Sequence, residues 1–496
     1  MNSSVAPTEI AKIAPSTVAD RGLFSFVWLR WKALTPAERV TCGAIVLIPL
    51  WWLWGWKHLL ILLAMTLVGL DLKRNGKLRW RRPSTIVLSA LVFGCYVLVN
   101  RFFYNQLTGS SFSPNSVLTV LNSWFGFAIL FWYIQSKHIR VRWQVVAWAC
   151  SVVAIAMLAF WAVIYFGLHQ GGYAPPRSLY GFLTGKSLRY VPGAGNSNYL
   201  LSYFPYDESL IPGMVRYIFF LPGPEALALV AGFFSCLALD LKPRLWSISL
   251  FGTAIFILLL SGTRSVLVAL PIALAIRYLF VTKRVLGPGV FCAIAAALSL
   301  GLLAFPDVTG QVMEALSGTA TATADFRGDS TEVRLEIYRQ TWNAIANAPD
   351  LTLLFGHTVS GETVLRGYDP ARVGSHSFLL GTLLYRAGLF GATIFATFWI
   401  SLLAWLYRTR ASRPICVLPT LVLLSLTFVV MELEMPVMPI VLLCVLMLQP
   451  ATVSGLRSRS REPSWDSLGC LRSANPVPLN SERLVSREGG RSRNRW

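Results

Sequence analysis

Charge is scarce in this chain, and negative charge scarcest: 14% of its 496 residues are charged, with 23 Asp and Glu against 44 Lys and Arg. At 55% hydrophobic residues and a mean hydropathy of +0.56, most segments have no polar face, which excludes a water-soluble globule and makes lipid the solvent. The five histidines are scattered and do not meet cysteines at metal-ligand spacing. Of the eight cysteines, Cys42, Cys95, Cys150, Cys236, Cys292, Cys416 and Cys444 fall inside apolar runs and Cys470 in a polar tail, so no disulfide is implied. The first 39 residues lack an apolar core with a cleavage site, and so read as a cytoplasmic segment rather than a removable signal peptide.

What the chain has is apolar runs. They predict an all-α integral membrane protein of about twelve transmembrane helices at 40–56, 58–71, 84–100, 116–135, 144–168, 217–240, 245–261, 265–281, 286–304, 377–407, 414–431 and 435–449. The first two are joined only by Lys57, which implies a tilted hairpin. The spans fall into an N-terminal group (40–168), a central group (217–304) and a C-terminal group (377–449).

Every second gap is cationic. The gaps 1–39, 72–83, 136–143, 241–244, 282–285, 408–413 and 450–496 hold 30 of the 44 Lys and Arg, which predicts that both termini are cytoplasmic. Runs such as Lys73, Arg74, Lys77, Arg79, Arg81 and Arg82 read as topology signals on anionic lipid, so the net charge of +21 does not point to nucleic acid. Trp51, Trp52, Trp54 and Trp56 read as an outer interfacial anchor. Residues 450–496, with nine Arg against four acids and few apolar residues, read as a disordered basic cytoplasmic tail.

Two connections on the opposite, outer face are long: 169–216, rich in Gly, Pro, Tyr and Asn, and 305–376. In the second, Asp329 and Glu332 have N-cap and N3 character, and Leu335, Tyr338, Trp342 and Ile345 recur at helical spacing up to Pro349, which predicts a surface helix. Arginine should be depleted here, yet Arg177, Arg189, Arg216, Arg264, Arg327, Arg334, Arg339, Arg366, Arg372 and Arg386 lie outside or at the outer edge. An anionic ligand would explain them, since guanidinium forks onto phosphate oxygens. Pairing with Asp325, Asp329, Glu332, Glu336 and Glu362 is the plainer reading for Arg327, Arg339 and Arg366. Arg264, in the tight turn Ser261-Gly262-Thr263-Arg264, is held where an amphiphile's phosphates would sit. Arg277, near the cytoplasmic end of its span, can snorkel out and receives no function. Because 389–407 alone can cross a bilayer, 376–387 reads as a short apolar helix at the outer boundary, with His376 at its start facing the arginines.

Four stretches between about 210 and 410 resemble the O-antigen ligase and polymerase superfamily of bacterial membrane glycosyltransferases. They are Arg216 with Phe219-Phe220-Leu221-Pro222 and Ala226-Leu227-Ala228; Ser261-Gly262-Thr263-Arg264; Arg334-Leu335-Glu336-Ile337-Tyr338-Arg339 leading through Pro349 to Gly356; and His376-Ser377 with Leu380, Gly388 and Gly391. Glu225 stands where the family usually has Asn, and Ser377 likewise replaces Asn. The resemblance implies a GT-C-like membrane fold with a long helical periplasmic loop. It also implies transfer of a glycan from undecaprenyl diphosphate to a sugar hydroxyl at the periplasmic face of the inner membrane, with no nucleotide sugar, metal or other cofactor. On that reading Arg216 and Arg264 hold the diphosphate, His376 serves the acceptor hydroxyl, and Arg334, Glu225, Ser377 and Arg386 are further candidate contacts. The absence of an Asp-x-Asp motif from the outer loops agrees with that chemistry. The acceptor would be either a growing glycan on its carrier, as in an exopolysaccharide or O-antigen polymerase, or a lipid A core, as in a ligase. The rival from another class is a flippase or transporter, for which Pro222 and Pro271 would interrupt spans and Glu225 would be intramembrane.

Overall fold

A computed structural model of the chain describes residues 23–25, 28–55, 59–77, 80–109, 114–167, 174–190, 198–282, 328–364, 371–433 and 435–449. The predicted span 286–304, the loop residues 305–327 and the tail 450–496 lie outside these, as do Trp56, Lys57, Arg327, Arg366, Cys292, Cys470 and the side chains of Asp329 and Glu332.

The described residues are mostly helical, with three short two-stranded pairings. Five helices are long and apolar enough to cross a membrane: Thr85–Thr108, Val117–Lys137, Trp143–Gly167, Arg244–Ser261 and Gly388–Arg408. The pair Ile48–Trp54 and Leu59–Asn75, inclined by 108°, makes a sixth candidate if it is one bent span.

Twelve spans are therefore reached only in part, and for a physical reason. The helices Pro224–Ala238, Val417–Val430 and Val437–Leu446 are apolar but have 15, 14 and 10 residues, about 22, 21 and 15 Å at 1.5 Å per residue, against about 30 Å of hydrocarbon. They are also the most enclosed elements: all but one residue of Pro224–Ala238 is buried. A helix sheathed by other helices can stop short, because irregular backbone is tolerated where protein surrounds it. Pro222, Gly223 and Pro224 enforce the stop, with Gly223 extended as N-cap and Pro224 opening the helix. Glu225 and Arg216 thereby sit at the mouth of a buried helix.

The first predicted span is broken. Thr35 and Glu38 form a capping box for Pro36–Val46, Leu47 leaves helical geometry, and Ile48–Trp54 ends at Gly55 with φ 108°. Trp52 is packed rather than a simple anchor, meeting Phe220 at 5.6 Å and Phe160 at 6.3 Å.

One end of the bundle is knitted by buried charge. Arg142 grips Glu38 in a two-point ion pair at 2.7 Å, and its strand Val141–Arg142 pairs in parallel with Met447–Leu448. Burial, the largest single influence, raises the Glu38 pKa, but the hydrogen bonds from the Arg142 side chain and the Thr35 and Arg142 amides, with the Arg142 charge, together hold it below the ordinary value. Arg413, 3% exposed, donates to the carbonyls of Cys444 at 2.7 Å and Val445 at 2.8 Å. Arg277 does not snorkel freely: it is ion-paired to Asp240, which also accepts the amide of Cys416 at 2.7 Å. The opposite end carries Arg216, the 328–346 helix and His376.

Candidate active site

Arg216 stands on the strand Val215–Tyr217, paired antiparallel with Tyr203–Glu208. Its Nε donates to the Ser261 carbonyl at 2.6 Å and a terminal nitrogen reaches Thr263 Oγ1 at 3.4 Å. Beneath it lies Gly262, at φ +64°, where an added Cβ would come within 3.3 Å of Arg216 Nε. The Ser-Gly-Thr turn thus serves Arg216 as a cradle. Arg264 begins the next helix, Arg264–Thr282, and is half-buried there.

Glu225 answers from the first turn of its buried helix. Its Oε1 lies 3.5 Å from a terminal nitrogen of Arg216 and 3.5 Å from one of Arg334, with Asp207 completing the group 3.8 Å from Arg216. Arg216 from the preceding strand and Arg334, 109 residues from Glu225, therefore converge on one carboxylate.

Arg334 projects from the helix Gly328–Ala346, close to its predicted extent. The packed face differs from the predicted stripe, however. Leu335 and Trp342 are exposed, whereas Ile337 and Thr341 are buried. Thr341 Oγ1 accepts the amide of Gly374 at 2.8 Å, and Tyr338 donates its hydroxyl to the His376 carbonyl at 3.1 Å, so this helix clamps the backbone before and at the histidine. Arg339 is ion-paired to Glu336 at 3.0 Å, the plainer of its two readings.

His376 has φ +63°, a left-handed conformation that a non-glycine residue holds only when its surroundings demand it. Phe219 and Thr358, at φ 50° and 63°, share this property near the same end. The amide of His376 donates to Glu432 Oε1 at 3.2 Å. Its Nδ1 lies 2.7 Å from Ser375 Oγ, which donates its own proton to the Arg372 carbonyl at 2.6 Å. A Ser375 hydroxyl committed to that carbonyl is an acceptor for the Nδ1–H tautomer, in which Nε2 carries the lone pair. Burial is the main force lowering the His376 pKa, and Arg334 adds to it against the opposing pull of Glu432 and Glu225. The ring is a neutral base at physiological pH.

Ser377 caps the next element: its hydroxyl accepts the Leu380 amide at 3.1 Å and donates to the Val429 carbonyl at 2.6 Å. That element, Phe378–Arg386, is a nine-residue π-helix separate from the crossing helix Gly388–Arg408, as the sequence predicts for a boundary segment. Gly391 allows a close approach, since a Cβ there would come within 2.7 Å of the Tyr96 ring, whose hydroxyl donates to the Ala387 carbonyl at 2.6 Å. Arg386 hydrogen-bonds Thr382 and lies 3.5 Å from Glu432. Glu432 is the member the sequence pattern does not single out; its only mark is a carboxylate in a very short connection between two apolar runs.

Residues 249–396 match the family model described as O-antigen ligase. This segment belongs to the O-antigen ligase and polymerase superfamily. No curated protein matches the chain. The O-antigen ligase segment contains Ser261, Arg264, Arg334, His376 and Arg386, while Arg216, Glu225 and Glu432 lie outside it and reach its residues through the contacts above. The chain thus joins a segment of the O-antigen ligase type to several helices long and apolar enough to cross a membrane.

Proposed function

We propose that the chain is an inner-membrane glycosyltransferase that draws a glycan from undecaprenyl diphosphate at the periplasmic face and adds it to a sugar hydroxyl, extending a surface or secreted polysaccharide. The observation that carries this reading is His376, which feels the charges of Arg334, Glu225 and Glu432 and whose amide donates to Glu432, itself 3.5 Å from Arg386. In the reaction, the acceptor oxygen attacks the anomeric carbon and its proton passes to His376 Nε2. The bond from that carbon to the diphosphate oxygen breaks, and the diphosphate departs with the electron pair. Arg216 and Arg334 face the growing negative charge, with Arg264 at the adjoining helix start. Glu225 lies where it spaces the two guanidinium groups before the donor enters. Transfer of a finished glycan to lipid A core would use the same steps.

The test is transfer by purified protein in nanodiscs, with lipid-linked glycan as donor and EDTA present. The wild type is expected to turn over and His376→Ala to lose about 10²- to 10⁴-fold. Unchanged rates for a folded His376→Ala protein would remove the histidine from the mechanism, and dependence on added magnesium would overturn metal-free transfer.

A further inference from the structure

A cavity of about 730 Å³ enters the bundle at the end that holds Glu38 and Arg142. It exists because neighbouring helices choose different partners. Pro36–Val46 packs on Trp143–Ala162, whereas Leu59–Asn75 packs on Gly126–Lys137, and a cleft is left between Pro36–Val46 and Leu59–Asn75. Leu60, Leu63, Leu67 and Leu70 line it at helical spacing, with Phe233 and Leu446 from the short interior helices. Leu60 to Arg74 spans about 21 Å of helix axis, longer than the roughly 15 Å of hydrocarbon in one leaflet.

The charged residues of the wall meet at one end. Lys137 Nζ lies 2.8 Å from Asp71 Oδ2, joining the C-terminal ends of Gly126–Lys137 and Leu59–Asn75. Arg74 follows Asp71 by one helical turn, and its charge reaches the Tyr133 hydroxyl together with those of Asp71 and Lys137. Arg140 follows in the short connection after Lys137, and the Arg81 amide donates to Ser136 Oγ at 3.2 Å beside it. The His138 pKa is lowered by burial first and then by Arg81 and Arg140, so that ring adds no charge of its own. Asp71 is the one carboxylate on the described wall, against Arg74, Lys137 and Arg140, which leaves this end positive.

An apolar cleft with a cationic rim takes a lipid with an anionic head. We infer that it holds one anionic phospholipid of the bilayer, with an acyl chain among the leucines and the phosphate at Arg74, Lys137 and Arg140. The head then lies at the opposite end of the bundle from Arg216 and His376, which makes this lipid a structural ligand and not a reactant. Its chain touches Leu442, Leu443 and Leu446, on the helix that carries Met447 to Val141, and so braces the N-terminal helices against the C-terminal one.

Lipid retention tests this without any turnover. Purified protein is titrated in detergent with phosphatidylglycerol or phosphatidylethanolamine, bound lipids are counted by native mass spectrometry, and thermal unfolding is followed alongside. Wild type is expected to hold one phosphatidylglycerol about tenfold more tightly than phosphatidylethanolamine, and to unfold at a higher temperature when it is bound. Arg74→Gln combined with Arg140→Gln should abolish that preference, Arg74→Lys with Arg140→Lys should keep most of it, and Leu63→Trp, which fills the cleft, should expel the lipid. Equal retention of the two lipids by wild type, a preference untouched by the double Gln variant, or binding unaffected by Leu63→Trp overturns the inference. So does displacement of phosphatidylglycerol by an equal concentration of undecaprenyl phosphate, which would make the cleft a carrier-lipid site.

Discussion

Arg216 and Ser261, forty-five residues apart, are joined by a 2.6 Å hydrogen bond from the guanidinium Nε to the backbone carbonyl. A side chain gripped at Nε can still offer its terminal nitrogens to a ligand, which an ammonium group cannot imitate. Arg216→Lys is therefore expected to lower turnover about 10²- to 10³-fold despite the conserved charge. Gly262→Ala should do likewise to a lesser degree, since it forces a Cβ against Arg216 at a left-handed backbone position. Initial rates with lipid-linked donor in nanodiscs check both, and wild-type rates for Arg216→Lys would show that the fork is unnecessary.

The pH profile should carry the signature of His376. Its pKa lies below the ordinary value of about 6.5. The base form is present above that pKa, so turnover should be flat near neutrality and fall only as pH drops through a point below about 6.5. Arg334→Gln removes a cation that depresses this pKa and should move the acid limb upward, whereas Glu432→Gln removes an anion that raises it and should move the limb downward. Limbs that shift the other way would exclude His376 as the titrating base.

At the other end, Glu38 and Arg142 form a buried ion pair with side chains 2% and 15% exposed. Removing one partner strands the other, so Arg142→Ala is expected to destabilise the fold by about 3–5 kcal/mol. Because the Glu38 pKa is lowered on folding, its contribution is complete above the unfolded pKa and is lost as pH falls through the folded one. Thermal unfolding in detergent measures both effects, while activity per folded molecule should stay near wild type.

Orientation is open to direct chemistry. Cysteines placed at Ser187 and Ser360, in the two long connections that the charge pattern predicts to face outward, should react with an impermeant thiol reagent in intact spheroplasts. Labelling that required lysis would reverse the assignment.

Much of this was readable before any coordinates, and the limits have physical causes. The helix at 328–346 and the break before 388 are local: helical spacing and a span already long enough at 389–407 dictate them. The face that helix turns inward is not local. Thr341 is buried because it meets Gly374, a partner fixed only by the tertiary fold, and Leu335 is left outside. Arg216, Arg264 and His376 stood out because arginine and histidine at a predicted outer boundary call for explanation. Glu432 did not, since a carboxylate in an exposed turn looks ordinary until His376 and Arg386 are seen upon it. The short interior helices read as full spans because hydropathy cannot tell a neighbour's side chain from lipid.

The parallel pairing of Val141 with Met447 has a consequence for biogenesis. The ribosome must deliver residue 447 before that bridge can close, so the early hairpins wait in the bilayer with Glu38 and Arg142 already able to meet, while Arg413 waits for the carbonyls of 444 and 445. Closure is thus a late, long-range event of the kind that folds slowly and exposes partly assembled chains. A chain truncated within the helix Val437–Leu446 would lack this latch, and its fate would be decided by membrane quality control rather than by any defect at the histidine.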